Sequence, residues 1–169
     1  MASDRPSISL RTYEEKHEPA LRAFSLPSEQ ERYTSLPATC LDNPQDHQKD
    51  RFMVILNDEQ PVGFFVLRHD ATHLSPYRKH EAILLSALSI TASEQGKGHA
   101  RQGLILLKRY IEKELPEIKS IVLGVNVRNT AAQSLYEKTG FEDTGRIVMG
   151  EMGEQKVFEL WCGSDGFND

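Results

Sequence analysis

The stretch Ile90-Thr91-Ala92-Ser93-Glu94-Gln95-Gly96-Lys97-Gly98-His99-Ala100 joins three kinds of local structure. It closes an apolar run, Ala82 to Ile90, that reads as a strand buried on both sides. Gly96 and Gly98 then break the run. A helical pattern follows, with Ala100, Leu104, Leu107, Ile111 and Leu115 recurring on one face and Pro116 ending it. A strand that passes through a glycine turn into a helix is, in physical terms, an anion site. Glycine lets a ligand approach the main chain and adopts dihedrals closed to other residues. The first helical turn presents N–H groups without helical partners, at the positive end of the dipole. A pyrophosphate is the natural guest. Two common phosphate motifs do not fit. The Walker spacing is absent, and Arg101 stands where the dinucleotide fingerprint needs a small last residue. By itself, a short glycine turn is equally well a tight strand-to-helix connection.

Before this stretch, Ile8 to Arg11 alternates as a short first strand. Pro19 suits a helical first turn, so a helix is expected from Glu18 to Phe24. Ser28-Glu29-Gln30-Glu31 has capping-box spacing and predicts a second short helix. Thr34 to Asp50 reads as a long loop with room for one helical turn. Phe52 to Leu56 and Val62 to Leu67, around a turn at Asn57 to Gln60, read as a hairpin. His69 to His80 is a polar excursion containing Pro76. After the central helix come a strand, Ser120 to Asn126, and an amphipathic helix, Asn129 to Thr139, with Gly140 at its C-cap. Two last strands follow, Thr144 to Met149 and Gln155 to Trp161, with a turn at Gly150 to Glu154. This order of elements predicts an α/β fold with a mixed sheet.

The 169 residues suit one domain, residues 1–169, without repeats, low-complexity tracts or a linker. Apolar residues at 38% and charged residues at 27% match an ordinary globular chain. No apolar run has membrane-spanning length, and the start lacks the apolar region of a signal peptide, so a cytoplasmic protein without a membrane partner is expected. A net charge of −5 argues against nucleic acid as a partner. Cys40 and Cys162 are far apart and read as reduced thiols. No His/Cys cluster has metal spacing, so no metal is expected.

Two segments together carry a family resemblance. Gln95-Gly96-Lys97-Gly98-His99-Ala100 resembles the Gln/Arg-x-x-Gly-x-Gly/Ala loop of the general N-acetyltransferase (GNAT) superfamily. Asn129-Thr130-Ala131-Ala132-Gln133-Ser134-Leu135-Tyr136-Glu137-Lys138-Thr139-Gly140-Phe141 resembles that family's Asn-x-x-Ala-x-x-Leu-Tyr-x-x-x-Gly-Phe motif. Leu85, Leu88 and Ile90 fit its preceding strand. The resemblance implies the GNAT-type acyl-CoA N-acyltransferase fold, a splayed, mostly antiparallel sheet flanked by helices. It implies acetyl-CoA as cosubstrate and a primary amine as acceptor, attacked directly, with no covalent enzyme intermediate.

The resemblance also implies roles for particular residues. The main chain of Gln95, Gly96, Lys97, Gly98, His99 and Ala100 would hold the pyrophosphate. Leu88, Ser89 and Ile90 would pair with the pantetheine arm, the Leu88 N–H serving as oxyanion donor. Asn129 would bond the pantetheine, and it also reads as a helix N-cap. The Tyr136 hydroxyl would assist departure of the thiolate, although without the motif Tyr136 reads as a core aromatic.

One departure from the family concerns the base. Many members carry a glutamate on the central strand, whereas this strand reads Leu84-Leu85-Ser86-Ala87-Leu88. Glu81 is the nearest candidate, with a solvated strand-end charge as its plainer reading, and Ser86 can hold a water. Glu14, Glu15, Glu18, Glu29 and Glu31 lie on segments that border the family's acceptor cleft, where a solvated face is their simplest reading. The acceptor classes left open are a small amine (a polyamine, an amino-acid amine or an aminoglycoside-like compound) and a protein N-terminus or lysine. A non-catalytic coenzyme A sensor is a further alternative. Either a monomer or a homodimer is compatible with the sequence.

Overall fold

In the computed structural model, the structure describes residues 7–43, 50–69, 74, 76–77 and 81–163. The strands are β1 (Ile8–Thr12), β2 (Arg51–Asn57), β3 (Gln60–Arg68), β4 (Ala82–Ile90), β5 (Ser120–Asn126), β6 (Glu142–Gly150) and β7 (Gly153–Trp161). The helices are α1 (Glu18–Arg22), α2 (Ser28–Glu31), α3 (Pro37–Leu41), α4 (His99–Glu114) and α5 (Thr130–Lys138), with 3-10 turns at Glu15–His17 and Ala92–Glu94. Among the described residues the strands form one sheet in the order β1-β2-β3-β4-β5-β7-β6. It is the mixed, mostly antiparallel sheet expected, with β4 and β5 as a parallel pair.

Contacts divide the chain into two compact units. The first comprises the described residues of Met1–Val66 and Ala87–Leu106. Here β1 pairs antiparallel with β2, from Ile8↔Asn57 to Thr12↔Met53. The period-2 pattern sends Phe52, Val54 and Leu56 of β2 to one face, where they pack with Phe64 and Val66 of β3. Leu21 and Phe24 after β1, and Cys40 and Leu41 of α3, complete that core. On the other face Ile55 meets Gly103 of α4, where an added β-carbon would lie 2.5 Å from the Ile55 Cδ1. The missing side chain lets helix and sheet approach closely.

The second unit comprises the described residues of Leu67–Ser86 and Leu107–Asp169. β5 pairs antiparallel with β7 along its whole length, Ser120↔Trp161 to Asn126↔Gln155. β7 pairs with β6, and the register breaks between Asp143 and Ile147. The parallel pairing of β4 with β5 runs from Ala82↔Ser120 to Leu84↔Val122. No further pair is formed among the described residues, although both strands continue.

Two expectations need correction. Ser28 does not cap α2: Pro27 is the N-cap, without a side-chain cap bond, so the capping-box spacing is coincidental. β4 is not buried throughout, since Ser86, Ala87, Leu88 and Ile90 are only partly covered. The cause is local, because β5 has ceased to pair and Ala87 takes a left-handed φ of 58°. A left-handed residue within a strand kinks it as a bulge does. The one helical turn expected in the loop after Thr34 is α3, where Pro37 occupies the first turn. Most of the expected His69–His80 excursion lies outside the described residues.

Candidate active site

In the first unit, the glycine loop leaves β4 through the 3-10 turn Ala92–Glu94. Gly96 and Gly98 have φ of +78° and +82°, and nothing lies within 4 Å of a β-carbon built on either. Both therefore need the left-handed freedom of glycine, and open space lies beside the main chain. Gln102 N–H donates to the Gly98 carbonyl at 3.1 Å, so the helical ladder begins there. The N–H groups of the first turn of α4 have no helical carbonyl to reach, the geometry that favours an anion. An open cradle at the start of a sixteen-residue helix fits a pyrophosphate.

Side chains brace the loop from within. The buried His99 shares a 3.0 Å hydrogen bond between Nε2 and Glu94 Oε1. Lys97 Nζ donates to Glu94 Oε2 at 3.3 Å. The His99 bond, with a smaller contribution from Lys97 and against the effect of burial, holds the Glu94 carboxyl below its usual range. Lys97 is therefore paired within the loop.

The β4 end of this unit has a defined polarity. The Thr91 N–H donates to Val62 C=O of β3 at 3.1 Å. In a strand, the N–H and C=O of one residue point to the same side and alternate along the chain. Leu88 and Ile90 thus direct theirs to the opposite edge. Ser89, between them, is buried. At that opposite edge the Leu88 carbonyl accepts from Thr34 Oγ1 at 3.1 Å. The Ile90 carbonyl accepts from Gln95 Nε2 at 2.8 Å.

In the second unit, Tyr136 lies on α5 with its ring 5.5 Å from Phe141 and 6.4 Å from Phe158, centroid to centroid. Burial raises its phenol well above the usual tyrosine value. Asn129 is the N-cap of α5, its Oδ1 accepting from Ala132 N–H at 3.2 Å. Gln133 secures the preceding turn by donating to the carbonyls of Asn126 and Val127, each at 3.1 Å. Glu81 is exposed, and its main-chain carbonyl accepts from Lys119 N–H at 2.9 Å. Ser86 Oγ accepts from Arg68 Nε at 2.8 Å.

The first unit thus brings together Leu88, Ser89, Ile90 and the loop from Gln95 to Ala100, while the second holds Glu81, Asn129 and Tyr136. Sequence reasoning missed Thr34, Gln30, Arg68 and the Glu94–His99 bond. The partners Thr34 and Leu88 are 54 positions apart, and no local spacing signals such a contact. Part of the acidic charge near the first helices is neutralised, Glu18 by Arg22 at 2.7 Å and Glu14 by Lys16 at 3.9 Å. Both cysteines are buried, and burial pushes the Cys162 thiol up to about 12, where it is inert.

The acetyltransferase (GNAT) family matches residues 12–141. An uncharacterized N-acetyltransferase of Bacillus subtilis, YbbJ, is 40% identical over 151 residues, covering 89% of this chain and 94% of the relative. The fold is similar to that of the aminoglycoside acetyltransferase AAC(6')-Ib solved with coenzyme A and kanamycin (TM-score 0.73, 18% identity, 96% and 98% of the two chains). It is also similar to that of Vibrio cholerae spermidine N-acetyltransferase with CoA and spermine (TM-score 0.67, 21% identity, 91% and 95%). With a family match over most of its length and a relative so similar along nearly its whole chain, this protein belongs to the acetyltransferase (GNAT) family.

Proposed function

We propose that this GNAT-family acetyltransferase, as a single catalytic domain, moves the acetyl group of acetyl-CoA directly onto the primary amine of a small molecule. The observation that carries the reading is the open glycine cradle at the end of β4, continuous with a strand edge that β5 leaves unpaired. Acetyl-CoA supplies an activated thioester carbonyl. The loop from Gln95 to Ala100 holds its pyrophosphate through main-chain N–H groups. Leu88, Ser89 and Ile90 align the pantetheine arm along β4, and the Leu88 N–H stabilises charge on the carbonyl oxygen. Asn129 contributes its remaining amide hydrogens to the arm. Tyr136 hydrogen-bonds the departing sulfur. Relatives of the same fold bind kanamycin and spermine, both small polyamines, and this favours a small amine over a protein acceptor.

Proton removal is assigned to solvent. Glu81 is exposed and stands just before Ala82, the first residue of β4, where its main-chain carbonyl accepts from Lys119 N–H. A solvated strand-end charge is its plainer role. A water at Ser86 would sit beside the Arg68 guanidinium, a poor place for a proton to arrive. The enzyme therefore takes the neutral amine from solution. Below the acceptor's own pKa, kcat/KM is expected to rise about tenfold per pH unit. Glu81→Gln is expected to superimpose on the wild-type profile. A variant profile that flattens, or that loses most near neutral pH, returns Glu81 to the mechanism.

The reading as a whole is tested by acetyl-CoA turnover over a panel of polyamines, aminoglycosides, amino-acid amines and peptides, followed by thiol release. Turnover confined to small amines supports it. Turnover confined to peptides moves the assignment to protein acetylation. Binding of acetyl-CoA without turnover of any amine supports a sensor.

A further inference from the structure

The edge of β4 described above has an occupant. Leu88 and Ile90 turn their carbonyls away from β3, toward the side that β5 does not pair, where an exposed strand edge would normally seek a partner. Both carbonyls are capped by side chains, Leu88 by Thr34 Oγ1 at 3.1 Å and Ile90 by Gln95 Nε2 at 2.8 Å. Neither cap stands alone. Gln95 forms a reciprocal amide pair with Gln30, at 2.9 and 3.1 Å. Ser25 N–H donates to Thr91 Oγ1 at 3.2 Å, and Ser25 C=O accepts from Ala92 N–H at 2.8 Å. The segment from Ser25 to Thr34, which contains α2, is thus stapled along the strand end and the loop at three points.

We propose that Thr34 is a placeholder on the cofactor strand. Its hydroxyl occupies the Leu88 carbonyl and is exchanged for an amide of the pantetheine arm when acetyl-CoA binds. The inference rests on the reading that acetyl-CoA lies along β4. Its consequence is coupling. Loading the acetyl donor releases one of three staples on the Ser25–Thr34 segment, so cofactor occupancy changes how firmly that segment is held. Gln95 and Ser25 remain as the hinge end of the strap.

The exchange sets the direction of the test. A ligand that must displace a protein hydrogen bond binds less tightly by the net strength of that bond. Thr34→Val keeps the branched shape and removes the hydroxyl. In calorimetric titration with acetyl-CoA the variant is expected to bind roughly two- to tenfold more tightly than wild type. Thr34→Ser, which restores the hydroxyl, is expected to return to wild-type affinity. Hydrogen exchange across residues 25–34 is expected to accelerate on adding acetyl-CoA to wild type, and to be fast with or without it in Thr34→Val. Unchanged or weaker affinity in Thr34→Val, or exchange in wild type that slows on binding, overturns the placeholder. Failure of wild type to bind acetyl-CoA overturns the cofactor reading as well, so the two failures are distinct.

Discussion

Replacing Tyr136 by Phe is expected to lower kcat by about one hundredfold while acetyl-CoA affinity stays near wild type. The ring keeps its packing against Phe141 and Phe158, so the fold loses little. Only the hydroxyl goes, and its contribution grows as charge develops on sulfur. The raised pKa of Tyr136 defines how the hydroxyl acts. A thiolate of ordinary basicity cannot take the proton outright without a cost of at least about 2 kcal/mol, since phenol and thiol differ by about 1.5 units even before burial. In the proposed reaction Tyr136 therefore acts as a hydrogen-bond donor that stays protonated, and solvent completes the thiol. The sign of the shift fixes the pH behaviour. A phenol whose folded value is raised keeps its proton through the usual tyrosine value of about 10 and loses it only above that. The ratio of wild-type to Tyr136→Phe rates is expected to stay constant from pH 6 to 9. A ratio that falls through neutral pH assigns the role to another group.

Gly98→Val is expected to weaken acetyl-CoA binding at least about tenfold, read by calorimetry on folded protein. A left-handed φ of +82° costs a non-glycine residue about 1–2 kcal/mol, and more for a β-branched one. The loop relieves that strain by moving, and its N–H groups then no longer converge on one anion. The new side chain also projects into the open space beside the main chain. Folding is expected to suffer less, by a few degrees in Tm, because strain of that size moves a chain of this length by about 2–4 °C per kcal/mol. Unchanged affinity would remove the loop from the cofactor site.

Much of the fold was legible because its signals are local. β4 and β5 match their expected bounds to the residue, since each is an apolar run closed by a glycine or an asparagine turn. Asn129 is the N-cap of α5, and Gly140, just past the C-cap Thr139, takes the left-handed φ of 101° that its position requires. The failures share a cause. Ser28 looked like a cap because spacing alone cannot show that Pro27 already turns the chain into α2. The long strand looked evenly buried because nothing in Ser86-Ala87-Leu88 announces a left-handed alanine or the parting of a neighbouring strand. The candidate site was legible where glycine geometry carries it, as at the left-handed Gly96 and Gly98. It was illegible where two remote side chains meet, as at Gln30 with Gln95 and Thr34 with Leu88.

The most direct test follows the acetyl group itself. Protein is mixed with acetyl-labelled acetyl-CoA, first alone and then with a small primary amine, and both protein and amine are weighed by mass spectrometry. Direct transfer predicts an unlabelled protein before the amine is added. It then predicts one labelled acetyl group on the amine nitrogen for each thiol released. Label retained on the protein, at a cysteine or elsewhere, and passed on to the amine would contradict direct attack. Thiol release without a labelled amine would contradict the transfer.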